Sequence, residues 1–105
     1  MESLKSRIER LLREAAQQAQ RKKLLPQVPL TEVLAERPQR REFGDYACSL
    51  PLKLARAART SPMSLAAALA DALELIKAST PEVERVEVAP PGFVNLFLSP
   101  GWLRS

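Results

Sequence analysis

The sequence predicts an α+β fold: a small, mostly antiparallel four-stranded sheet with helices on one face, the elements running helix, two strands, two helices, two strands. Three observations lead there. Apolar residues recur at helical spacing in separate stretches, and they alternate in two β-rich runs near the C-terminus. Aromatic residues make up only 5% of the chain, so Leu, Val, Ile and Ala must build the core. At 105 residues the whole fits one domain, 1–105, large enough to bury a core without disulfides or metals.

The first element spans about Glu2 to Lys23. Leu4, Ile8, Leu11, Leu12, Ala15 and Ala19 form one face, Ser3 can cap the start, and Arg21, Lys22 and Lys23 suit the carbonyl end. Pro26 stops it, and Pro29 keeps the following residues extended. Glu32 to Arg37 reads as a short strand, because Val33 and Ala35 alternate with polar neighbours. After Pro38, the segment from Phe43 to Cys48 reads as a turn and a second strand. Leu50 to about Thr60 is a short helix. Ser61-Pro62 restarts a longer one, with Ser as cap and Pro at the first helical position. Val83 to Val88 and Phe93 to Leu98 are the last two strands, separated by Pro90-Pro91-Gly92.

Composition narrows the chemistry. Sixteen Lys and Arg against twelve Asp and Glu give +4, and eleven of the cations are Arg, the side chain shaped for bidentate phosphate contact. Histidine is absent and cysteine occurs once, at Cys48, so no disulfide and no Cys/His metal site is expected within the chain. Cys48 reads as a small buried side chain. The commonest general base is missing, the serines and threonines have no evident activating partner, and the three glycines stand in separate turns rather than in a phosphate loop. Binding is the economical class. No apolar run approaches spanning length and no leader pattern opens the chain, so a cytoplasmic location and no membrane partner are expected.

The last strand is the informative one. Val94, Leu96 and Leu98 share one face and have the composition of a core; Phe93, Asn95 and Phe97 share the other. On the neighbouring strand Val86 and Val88 match the first set, Arg85 and Glu87 the second. Two readings of the ring–amide–ring face stand side by side. In one, the rings pack on Tyr46, Phe43 or Trp102 and simply cover the sheet. Alternatively they face outward, where a phenyl ring stacks on an unpaired base and an amide bonds its edge. Three cationic groups could follow a phosphate backbone or could be solvated faces: Arg21-Lys22-Lys23, Arg37 with Arg40-Arg41, and the ridge Lys53-Arg56-Arg59. Arg40 and Arg41 are the stronger candidates, lying between strands; Arg85 is a weaker one.

Two blocks carry a family resemblance. Glu36-Arg37-Pro38 with Arg41-Glu42-Phe43-Gly44-Asp45-Tyr46-Ala47 resembles the strand–loop–strand signature of the N-terminal additional domain of arginyl-tRNA synthetases. Val83 to Val88 with Pro91-Gly92-Phe93-Val94-Asn95-Leu96-Phe97-Leu98 resembles its closing hairpin. The resemblance implies contact with the D-loop at the tRNA elbow, with Phe93 and Asn95 reading an exposed base. Gly44, Asp45, Tyr46 and Gly92 are then architectural turn residues. It further implies a parent class I enzyme that joins arginine to tRNA-Arg using ATP with Mg²⁺. The histidines of that enzyme's nucleotide signature are absent here, so no catalytic residue and no cofactor is expected within these residues. Residues 99–105 would begin the linker to the catalytic domain of the same polypeptide. The expected partner is tRNA-Arg, not DNA. A freestanding RNA-binding protein and a protein–protein docking module remain the alternatives.

Overall fold

A computed structural model of the chain describes residues 3–30, 32–77 and 80–100. Helix α1 runs Leu4–Arg21 and buries Ile8, Leu11, Leu12, Ala15, Ala16 and Ala19. Its start is capped as the sequence predicts: the Ser3 hydroxyl accepts from the Ser6 amide at 3.1 Å. At its end Lys23 turns left-handed (φ 61°), and the Leu24 amide donates back to the Ala19 carbonyl at 2.8 Å. The basic triplet is therefore a helix exit rather than a helical stripe.

The segment after α1 is strapped to that helix by side chains. Gln20 donates to the carbonyls of Pro26 and Val28 (2.9 and 2.7 Å), and Arg13 donates to that of Leu30 at 3.0 Å. The Ala35 amide donates to a Glu9 carboxylate oxygen at 2.9 Å. Val33 and Ala35 are buried, as their alternation predicts. The predicted strand over 32–37 does not form, however. Among the described residues a single bridge, Glu36 to Ala47, links it to the sheet. The reason lies at its two ends: Pro38 has no amide to offer, and the strand it faces ends at Cys48, since Ser49 caps the next helix and cannot pair with Leu34; the Ala35 amide points away from that strand, to Glu9.

A 3₁₀ turn, Arg41–Phe43, leads through Gly44 into β1 (Tyr46–Cys48). Helix α2 (Leu50–Ala58) follows, stopping before Thr60 because Arg59 adopts a left-handed cap (φ 52°). The ridge expected from Lys53, Arg56 and Arg59 is interrupted by that cap. Helix α3 (Pro62–Lys77) starts on Ser61, whose hydroxyl accepts from the Ser64 amide at 3.4 Å. Strands β2 (Val83–Ala89) and β3 (Phe93–Leu98) close the fold as an antiparallel hairpin.

Among the described residues the sheet has three strands rather than the four expected, in the order β1-β3-β2, all antiparallel. The last strand in sequence is thus the central one. Directly paired residues in an antiparallel sheet share a face. Tyr46 pairs with Leu96 and Cys48 with Val94, and Val86 and Val88 meet the same two from the other side. These residues join Leu12, Leu69 and Leu73 in one core between sheet and helices. An irregularity between Val83 and Arg85 lets Val83 share this face with Val86, three positions along. Burying each of Val94, Leu96 and Leu98 contributes roughly 1.5–3 kcal/mol, which secures the register of β3.

Two polar contacts lock the sheet to its surroundings. Glu82, buried at the start of β2, pairs with Arg7 of α1. Asp45 accepts from the Leu98 amide at 2.8 Å while its own amide donates to the Leu96 carbonyl at 2.8 Å.

Candidate nucleic-acid interface

Since Val94, Leu96 and Leu98 point to the helices, the alternate residues of β3 lie on the uncovered face. Asn95 stands in the middle, paired with Ala47 on one side and Glu87 on the other; Phe93 pairs with Ala89, and Phe97 with Arg85. The two alanines shape the surface. A methyl group beside Asn95 and another beside Phe93 leave a depression where larger side chains would have made a flat sheet. The resulting open pocket measures about 380 Å³ and is floored by Ala47, Ala89 and Asn95. Phe93 and Phe43 stand in its wall, and Glu36 to Gln39 form its far rim.

The sequence-predicted pair, Phe93 and Asn95, therefore meets in one cavity on the face away from the helices. Their exposure differs from expectation. Asn95 is only 4% exposed and sits at the base of the pocket rather than projecting into solvent, because the bridge at Glu36 raises a wall beside it. Phe93 is half-buried. Phe97 lies further along the strand, with the Arg85 guanidinium stacked 4.0 Å from its ring centre and held by Glu87 at 2.8 Å.

The other named residues separate into surface and scaffold. Arg40 and Arg41 are exposed beside the pocket without lining it, and Arg40 pairs with Glu42 at 3.2 Å. Arg37 reaches the rim instead and holds its guanidinium 5.1 Å from the Tyr46 ring centre. Tyr46 is buried in the core. Gly44 adopts φ 102°, and a Cβ there would stand 2.7 Å from the Leu96 carbonyl oxygen. Gly92 lets the hairpin turn press on the helices, since a Cβ would come within 2.6 Å of Pro62. Trp102 and the rest of 101–105, including most of the expected linker, lie outside the described residues.

The rim residues Glu36, Gln39 and Phe43 are not among the site residues that the sequence predicts. The available signal was the alternation of 32–37, which sets Glu36 opposite the buried Val33 and Ala35; what it lacked was the neighbour. Among the described residues no group of acidic or sulfur side chains could hold a metal. The buried Cys48 thiol is pushed up to about 11 by desolvation, against smaller lowering effects of the Leu50 amide and the Lys53 charge. It is held as a neutral thiol in the core, not as a nucleophile. No helix among the described residues is long and apolar enough to cross a membrane.

Residues 3–98 match the family model described as the arginyl tRNA synthetase N terminal domain. The chain belongs to that family. It is 35% identical to the arginine–tRNA ligase of Desulforamulus reducens and 39% identical to that of Moorella thermoacetica, in each case over 98% of this chain and 18% of the relative. Among solved structures, the Thermus thermophilus arginyl-tRNA synthetase superposes with a TM-score of 0.72 at 26% identity, covering 96% of this chain and 15% of that one. This synthetase N-terminal domain thus spans less than a fifth of the length of those relatives. Both sequence blocks that carried the resemblance fall inside the matched residues, and both meet at the pocket: the first supplies rim residues and Ala47, the second Asn95 and the Phe93 ring.

Proposed function

We propose that this domain holds one unstacked base of the tRNA-Arg D-loop in the pocket on the uncovered sheet face, and so contributes to tRNA recognition by an arginine–tRNA ligase. Phe93 supplies the stacking surface, Phe43 a further part of the wall, and Asn95 a donor and an acceptor for the base edge. The carrying observation is that a ring and an amide two residues apart line a single cavity sized for a small planar ligand. Arg85 on Phe97 lies along the strand from that cavity, and Arg37, Arg40 and Arg41 lie at or beside its rim; these would neutralise the adjoining phosphates without reading sequence. The parent activity, ligation of arginine to tRNA-Arg with ATP and Mg²⁺, belongs in this reading to the remainder of the enzyme, with the catalytic domain as covalent partner.

The test is fluorescence anisotropy of a labelled tRNA-Arg transcript at low salt. Base stacking is worth roughly 1–3 kcal/mol, so Phe93→Ala should weaken binding by about 5- to 150-fold. Asn95→Ala should reduce discrimination among transcripts that differ at one D-loop base. Arg40→Ala should weaken all transcripts alike and flatten the salt dependence. If Phe93→Ala binds every transcript as tightly as the parent chain, the pocket holds no base.

A further inference from the structure

Resting on the base-pocket reading, we infer that Glu36 is the specificity-determining acceptor of that pocket, and that the base it admits carries an exocyclic amino group. Four residues form a row across the open face: Glu36 pairs with Ala47, Ala47 with Asn95, and Asn95 with Glu87. A carboxylate therefore stands on either side of the central amide, an arrangement that disfavours a polyanion unless each is answered by a donor.

The two carboxylates are answered differently. Glu87 is neutralised within the protein by Arg85 at 2.8 Å. Glu36 makes no ion pair among the described residues, yet it lines the pocket. Its main chain is clamped by reciprocal hydrogen bonds with Ala47, 2.8 Å from the Glu36 amide and 2.7 Å to its carbonyl. The side chain thus starts from a fixed point, on the same face as Asn95 with Ala47 between them in the row.

The chemistry of the ligand follows from what each group can do. Asn95 both donates and accepts, so by itself it suits the edge of any base. An ionised carboxylate accepts only. It is repelled by a phosphate and by a base carbonyl, and it is satisfied by an N–H. Adenine, cytosine and guanine each present an amino group; uracil presents one ring N–H between two carbonyl oxygens. Glu36 therefore breaks the degeneracy that the amide leaves.

The experiment uses the chain as it stands, with RNA hairpins whose loops differ at one position: adenine, cytosine, uracil, or purine, which is adenine without its amino group. Because Glu36 holds the sheet through main-chain bonds only, Glu36→Ala keeps them, and a thermal melt checks that the fold is retained. A hydrogen bond to a charged acceptor supports a preference of roughly tenfold for adenine over purine in the parent chain. Glu36→Ala should reduce that preference to about twofold or less, weakening the adenine and cytosine loops while leaving the purine and uracil loops unchanged or tighter. If Glu36→Ala tightens all four loops equally, the carboxylate is a bystander charge and the inference fails while the pocket reading stands. If Phe93→Ala leaves all four loops unaffected, the pocket reading fails and carries this inference with it.

Discussion

Replacing Gly44 by alanine tests how the rim of the pocket is attached to the central strand. Gly44 has φ 102° and ψ −168°, a region essentially reserved for glycine, and a side chain there costs on the order of 1–3 kcal/mol. The new Cβ would also stand 2.7 Å from the Leu96 carbonyl oxygen and 3.3 Å from its carbon. These are backbone atoms of a fully buried residue that pairs with Tyr46 on one side and Val86 on the other, and the same oxygen accepts the Asp45 amide at 2.8 Å. The clash cannot be relieved by rotating a side chain, so it adds roughly 1–3 kcal/mol, as overpacking does elsewhere. Together the loss is about 2–6 kcal/mol, of the same order as the low end of the total stability of a small domain. Far-UV circular dichroism should show the melting temperature falling by at least about 8 °C, since each kcal/mol shifts a domain of this size by some 4–8 °C. Ala57→Gly, on the exposed side of α2, sets the scale with an expected loss of about 1 kcal/mol. A Gly44→Ala protein that melts within about 3 °C of the parent would refute the argument that backbone contact, rather than loop preference, demands glycine here.

Two further outcomes are expected. Asp45→Ala removes the acceptor of the Leu98 amide and should cost about 1–3 kcal/mol in urea unfolding, whereas Asp45→Asn, which can still accept, should cost less than half of that; equal losses would show that the bond contributes nothing. Cys48 titrates higher in the folded chain than its ordinary 9.0, so unfolding favours loss of its proton and the thiol's stabilising contribution is complete below pH 9 and lost as pH rises toward 11. Stability from urea titrations should therefore fall by on the order of 2 kcal/mol across that interval, a fall that Cys48→Ala abolishes; an identical decline in Cys48→Ala would rule out the thiol as its source.

Much of the local structure was legible in the residues themselves. Ser3 and Ser61-Pro62 set helix starts because a hydroxyl and a proline solve the problem of unpaired amides within one turn of chain. The alternation of 93–98 named its buried face correctly, since a strand has only two faces and the aliphatic trio can satisfy only one. Non-local events decided the rest. Alternation over 32–37 described burial accurately, yet could not reveal that the strand it faces would end at Cys48, before Leu34 could pair, and leave a single bridge in place of a fourth strand.

The pocket divides along the same line. Phe93 and Asn95 are two residues apart in one strand, so their common face is a property of the chain. That Ala47 would lie against Asn95, that Ala89 would lie against Phe93, and that Glu36 and Phe43 would close the rim depended on strand order, which places the last strand between the first two. Spacing along a backbone dictates direction. A cavity is made by neighbours distant in sequence, and only the packed sheet brings them together.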